Sequence, residues 1–401
     1  MKPSFCAIAS QQIGEDLIGT AGHYQTYVLI ECPMPWAAKA FNSKCVPPTL
    51  RKYIKDIKSK QSVQVLAIDR GLRASAVSSD KMTLMVYERT VPSDVTLSGS
   101  EPSIRKPING YRGYEFQLDD LTQVADCLEA YWQGDRIGQS ITQQDILVCT
   151  HGMRDKCCAR FGQPFFRDAS RSAKRGELPN TRVWKVSHIG GHRFAPTAIS
   201  MPDGRYYGRL TLAILKSVVT RSGPVSQTKA AYRGWGLLPV PLQVLEQQLL
   251  LKHGWSWFDH KVSYQILTDS AQEQCEQSAV KTLRELSVEI CVLPAAKQSI
   301  GQPESRLKES KDAQQTITYR AKLIQDPQKT VCTKASCSSA VAVPVVKYTV
   351  ADCVQVDAVE ATAEITEATA EITETTVEVT EPAEVVSATQ KQVLSNRQLR
   401  R

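Results

Sequence analysis

The chain has 401 residues but no stretch approaching the roughly 18 consecutive apolar residues that a membrane span requires. Its opening stretch, MKPSFCAIASQQIGEDLIGT, lacks the apolar core of a secretory signal. Together these absences predict a cytoplasmic protein with no membrane partner. No C-x-x-C pair is present, which argues against a dithiol oxidoreductase, and no C-x-x-H, which argues against a Rieske fold. No pair of carboxylates stands out as the acid and nucleophile of a glycosidase. HGMRDK has one glycine and no Ser or Thr after its lysine, so it is not a phosphate loop. No recognised nucleic-acid module accompanies the basic residues, and no nucleic-acid partner is expected. Histidine is scarce, with six in the chain.

Cysteine, by contrast, is abundant. Twelve are present in a chain without an export signal, so a disulfide framework is not expected, and metal binding or redox chemistry becomes the reading for some of them. The rest read as buried free thiols. The net charge of +8 conceals an asymmetry. Residues 352–401 hold ten acidic and four basic residues, leaving 45 Lys+Arg against 31 Asp+Glu in the remainder, a net of +14. A basic body with an acidic tail points to acidic partners or to a tail that shields the body.

Period-two and period-3.6 patterns organise the chain as an α/β protein. Residues 1–140 read as strands YQTYVLIECP, SVQVLAIDRG, KMTLMVYERT and YRGYEFQL, with helices LRKYIKDIKSKQ and LTQVADCLEAYWQG. Residues 141–260 repeat that order: strand DILVCT, a loop, helix PFFRDASRSAKRGEL, strand TRVWKVSHIG, a hairpin over TAISMPDGRYYGRL, and helix LTLAILKSVVTR. The repetition suggests an internal duplication in which only the second copy combines cysteines with histidines. The stretch from Tyr232 to His260 adds a helix packed across the pair. Residues 261–350 read as a small α/β region with a helix over AQEQCEQSAVKTLREL, and 351–401 as a disordered acidic tail, with ATAEITE occurring twice at a period of seven.

Chemistry concentrates in two stretches. CTHGMRDKCCARFG places Cys149 and Cys158 at C-x8-C, with His151 between them and Cys157 adjacent to Cys158. WKVSHIGGHRF places His188 and His192 at H-x3-H around Gly190 and Gly191, which let the backbone turn tightly. Two thiolates and two imidazoles fill the four protein positions of a [2Fe–2S] cluster or of a tetrahedral zinc. His151 reads as a residue of supporting hydrogen bonds, and Cys157 as a buried thiol or an alternative ligand to Cys158. Cys332 and Cys337 read as free thiols, His253 and His260 as packing residues. Between Cys149 and Arg209 twelve basic residues face four acidic ones, a positive collar suited to an acidic redox partner.

CTHGMRDKCC, HIGGHRFAPTAISMPDGRYYGRL, YRGW and GTAGHYQTYVLIECPMPW are similar to motifs of the sucrase/ferredoxin-like family. The resemblance implies a thioredoxin-like ferredoxin domain, preceded here by a degenerate copy. It implies a [2Fe–2S] cluster held by Cys149 and Cys158 on one iron and by His188 and His192 on the other. Gly190 and Gly191 N–H groups are expected to donate to cluster sulfurs. The implied function is that of a one-electron carrier or redox sensor. A thiol-dependent oxidoreductase and a zinc-stabilised binding module are the alternatives left by the residues themselves.

Overall fold

The structure, a computed structural model, describes residues 5–60, 62–71, 81–90, 106–108, 110–136, 138–270, 284–294, 316–334 and 336–356. In chain order the elements are α1 (Cys6–Gln12), β1 (Thr26–Glu31), α2 (Pro48–Lys60), β2 (Val63–Asp69), β3 (Met82–Arg89), β4 (Lys106–Ile108), β5 (Tyr111–Leu118), α3 (Val124–Gln133) and β6 (Gln139–Ser140). They continue as β7 (Gln144–Cys149), α4 (Lys156–Lys174), β8 (Thr181–Val186), β9 (Ala198–Met201), β10 (Arg205–Tyr207), α5 (Leu212–Thr220), β11 (Tyr232–Trp235) and α6 (Val240–His253). The last strands are β12 (Lys261–Asp269), β13 (Glu285–Leu293), β14 (Ile317–Lys334) and β15 (Ala342–Val356).

Ten strands form one mixed sheet in the order β11-β10-β9-β7-β8-β2-β1-β3-β5-β6. Its halves share a connectivity. β1 pairs parallel with β2 and antiparallel with β3, which pairs antiparallel with β5. Likewise β7 pairs parallel with β8 and antiparallel with β9, which pairs antiparallel with β10. The halves join where β2 and β8 run antiparallel, at Ile68↔Val186 and Asp69↔Lys185. The central strands are covered on both faces. That is why TYVLIE and QDILVC read as continuous apolar runs rather than alternating ones.

Three expectations need correction. The helix after β7 begins at Lys156, two turns before Pro164, and Pro164 lies inside it. Proline usually marks a first turn, but here Asp155 supplies the N-cap, accepting the Cys157 N–H at 2.8 Å, and the helix starts there. Residues 261–350 do not form a region of their own. Strand β4, from the first 140 residues, pairs with β12 to complete a five-stranded sheet, β15-β14-β13-β12-β4. Residues 351–356 belong to β15, paired with the start of β14, so the expected tail boundary falls inside a strand. The tail beyond 356, with its ATAEITE repeat, and residues 271–283 of the helix expected over 271–286 lie outside the described residues; the last two residues of that expected helix, Glu285 and Leu286, instead open β13.

Helix α6 packs against β11 of the large sheet and against β14 and β15 of the small one. It is buried on almost every side, including Gln243 and Glu246. Such burial requires its polar groups to be satisfied. Glu246 accepts from Arg205 Nη1 (2.6 Å), Trp257 Nε1 (2.8 Å) and Tyr232 Oη (2.9 Å). Arg205, on β10, is 2% exposed and Glu246 is 0% exposed. Replacing Glu246 by alanine should therefore strand a buried guanidinium and cost about 3–5 kcal/mol, read from the urea midpoint at constant m-value. A loss under about 1 kcal/mol would mean that the pair is hydrated, since exposed pairs have that magnitude.

Candidate metal centre

Cys149 ends β7, and His188 lies two residues beyond the end of β8, its parallel neighbour. The carboxyl ends of adjacent parallel strands are where α/β sheets place their ligands, because the chain leaves there in loops that can converge. Helix α4 turns back across this edge at very close range. A Cβ on Gly162 would lie 2.0 Å from the Cys149 carbonyl oxygen, so only glycine fits there. The first turn of α4 then presents Cys158 to Cys149.

The thiols of Cys149 and Cys158 and a ring nitrogen of His188 lie within 4.8 Å of one another, with Cys158 Sγ 3.7 Å from His188 Nδ1. Both cysteines are buried. A hydrogen bond from the Cys158 thiol holds Cys149 well below the usual thiol range; burial opposes this and His188 assists it. The same hydrogen bond, together with burial, pushes Cys158 up. The contact between the two sulfurs thus eases loss of the first proton from the pair and opposes loss of the second.

Cys157 is turned away from this group. Successive helical residues project about 100° apart, so Cys157 and Cys158 cannot face the same point. Cys157 instead contacts Cys6 of α1 and Cys337 of the β14–β15 connection, at Sγ–Sγ distances of 3.4 and 3.3 Å. A hydrogen bond from Cys6 brings the Cys157 thiol down to about 7 against the opposing effect of burial.

His192 does not join Cys149, Cys158 and His188 in the close group. Its ring lies beside that of His188, with centroids 5.3 Å apart, and its Nδ1 is 3.3 Å from both Asp155 Oδ2 and Cys6 Sγ. Burial pushes His192 down, and Asp155 opposes this. His151 is buried against the Trp36 edge, with Nε2 2.8 Å from the Ala37 carbonyl and Nδ1 3.3 Å from the His188 backbone nitrogen. Its Nε2–H therefore donates to Ala37, and its Nδ1 accepts from His188. Burial keeps this imidazole neutral by lowering its pKa.

Gly190 and Gly191 both take left-handed conformations, at φ 79° and 70°. Behind them lies Arg233, 2% exposed, which donates to the Gly190 carbonyl at 3.2 Å and to the Thr20 carbonyl at 2.6 Å. Burial lowers this guanidinium to about 10.

The basic collar is thinner than its composition implies. Arg182 is bound by Asp145 and Glu115, Arg205 by Glu246, Arg193 by Glu15, and Lys185 by Asp69. Further cations come from the first half of the chain and stand beside Arg154 of the collar. A groove of about 820 Å³ with His188 in its lining carries Lys39, Arg51, Lys52, Lys55, Lys58 and Arg154.

A family model described as sucrase/ferredoxin-like matches residues 17–234. The chain belongs to the sucrase/ferredoxin-like family. Among curated proteins it is similar to altered inheritance of mitochondria protein 32 of Meyerozyma guilliermondii, with 26% identity over 104 residues. That match covers 24% of this chain and 36% of the relative, so the chain spans about a third of the relative's length. No solved structure matches. As a sucrase/ferredoxin-like protein, the chain has Cys/His groupings able to hold metal, and no described helix is long and apolar enough to cross a membrane.

No pattern in the sequence marks Cys6, Asp155 and Cys337 as parts of one cluster. Cys337 is a free thiol, as its sequence context suggests, and Asp155 enters the sequence reading only as one of the four acidic residues of the collar. Asp155 is 6% exposed, and its carboxylate receives the Cys157 and Cys337 backbone N–H groups. Burial pushes it up, but those two donors together with the Cys337 thiol and His192 hold it below the usual range. The one advance signal was cysteine frequency itself.

Gly191 offers a test of the loop. An added Cβ would lie 2.5 Å from the Arg233 guanidinium, in a backbone conformation that disfavours side chains. Gly191→Ala should cost at least about 1–2 kcal/mol in thermal or urea unfolding, whereas a wild-type midpoint would show that the loop does not need this conformation.

Proposed function

We propose that Cys149, Cys158, His188 and His192 hold a [2Fe–2S] cluster and that the protein carries single electrons between redox partners. The observation that carries this reading is the gathering of two buried sulfurs and a His188 nitrogen within 4.8 Å of one another. Thiolate and imidazole are the ligand types of iron–sulfur centres with mixed ligation. His192 supports the fit, because Asp155 engages its Nδ1 and leaves Nε2 as the nitrogen free to bind. A carboxylate on the far nitrogen is a common way to orient a ligating imidazole.

The cluster, when bound, supplies a one-electron couple. The polypeptide supplies charge, orientation and exclusion of water. Two anionic sulfurs and two neutral nitrogens give the site less negative charge than four thiolates, which favours a raised potential. His151 fixes His188 by accepting its backbone N–H, and Arg233 braces the glycine loop. His192 Nδ1, beside Asp155, is where a proton is held or released as the charge of the site changes, so reduction is coupled to pH. An acidic partner docks at the cationic groove, which brings its own redox group towards His188.

Protein purified without oxygen should be red-brown, with about two iron and two acid-labile sulfide per chain. His192→Cys should keep the iron, lower the midpoint potential and reduce its dependence on pH. A colourless, iron-free chain overturns the reading, as does a His192→Cys protein whose pH dependence is unchanged.

A further inference from the structure

Next to the centre just described lies a second group of metal-binding side chains that shares none of its four ligands. Cys6, Cys157 and Cys337 form a triangle of sulfurs, with Cys6–Cys157 and Cys6–Cys337 at 3.4 Å and Cys157–Cys337 at 3.3 Å. Asp155 Oδ1 lies 3.9 Å from Cys6 Sγ, and one donor atom from each of the four residues falls within 4.8 Å of the others. We propose that these four residues form a zinc site, with three thiolate ligands and the Asp155 carboxylate as the fourth.

The distances favour a shared ion over the alternatives. A tetrahedron with Zn–S bonds of about 2.3 Å has edges of about 3.8 Å, so each sulfur pair needs to open by only about 0.4 Å. A disulfide would consume two of the three sulfurs and leave the third without a partner of its own kind. A divalent ion uses all three. The sulfur-rich donor set selects zinc over magnesium or calcium, which prefer oxygen. Three thiolates and one carboxylate carry the same charge as the four thiolates of a structural zinc site. On binding, each thiol gives its proton to solvent.

The surroundings are those of a closed structural site. Cys6 and Cys157 sit in an apolar cluster with Ala7 and Ala195, and Phe5 packs edge-on against Phe161 beside it. Backbone donors are already in place. Ala7 N–H lies 3.4 Å from Cys157 Sγ, and the Cys157 and Cys337 N–H groups are bound to Asp155. Asp155 Oδ2 faces His192 Nδ1 at 3.3 Å, so the carboxylate can serve zinc through Oδ1 while still orienting that histidine. The three cysteines are separated by 151, 180 and 331 positions, and one ion would pin α1 and the β14–β15 connection onto α4.

The test is zinc and iron analysis of the full chain purified without oxygen from zinc-supplemented medium, beside Cys337→Ser and Cys6→Ser. The expected result is one zinc per wild-type chain, a loss of zinc affinity by more than about a hundredfold in each variant, and unchanged iron in Cys337→Ser. Less than about a fifth of an equivalent of zinc in the wild-type chain overturns the site, as does zinc retained by both variants. A Cys157–Cys337 or Cys6–Cys157 disulfide in peptides mapped without reduction also overturns it. If Cys337→Ser loses iron and its visible colour while zinc stays, the sulfurs belong to iron and the zinc assignment falls. Should the variants fail to fold, cobalt exchange into wild-type protein decides: thiolate-to-cobalt charge-transfer bands support the site, and their absence refutes it. Iron and zinc are read separately, so failure here leaves the reading of Cys149, Cys158, His188 and His192 standing, and the reverse also holds.

Discussion

Asp155 stands at the junction where β7 becomes α4, and both candidate centres depend on its carboxylate. As N-cap it starts the helix at Lys156, which sets the rotation of Cys157 and Cys158. Cys158 then falls on the face towards Cys149 and His188, and Cys157 on the face towards Cys6 and Cys337. The second oxygen receives the Cys337 backbone N–H and faces His192. A buried carboxylate is tolerated only when its lone pairs are occupied, and here the occupants are the Cys157 and Cys337 N–H groups and the His192 ring. Stability and site geometry are thus the same set of hydrogen bonds.

The repeated connectivity of the large sheet gives the first half a role in a site it does not itself contain. The loop after β1 packs onto the second half, where Trp36 meets the His151 ring and the Ala37 carbonyl fixes its tautomer. His151 in turn positions the His188 backbone. Helix α2 contributes Arg51, Lys52, Lys55 and Lys58 to the groove beside His188, so much of the positive charge there comes from the half that holds none of Cys149, Cys158, His188 and His192. The segment before β1 contributes as well, through Thr20 on Arg233, Glu15 on Arg193 and Cys6 on Cys157.

Several features were legible in advance because they are local. Continuous apolar runs marked the buried strands, Pro-Asp-Gly marked the β9–β10 turn, and the C-x8-C spacing picked out the two cysteines that meet His188, whereas His192 of H-x3-H stands apart from them. Other features were not legible, because burial and pairing with distant residues decide them. The start of α4 was misplaced because the cap at Asp155 competed with the proline rule at Pro164, and the cap prevailed. Strand β4 gave no signal of leaving its neighbours for the small sheet, since three residues carry too little periodicity.

The sequence by itself determined an α/β chain of the sucrase/ferredoxin-like family with two cysteines and two histidines at telling spacings, for those patterns depend only on neighbours along the chain. Only the tertiary structure decided which cysteine of the adjacent pair faces which group, that His192 leans on Asp155, and that Cys6 and Cys337 meet Cys157. The physical reason is that a donor set is defined by the direction of side chains in space. That direction is set by a helix cap and by packing between segments as far apart as 331 positions.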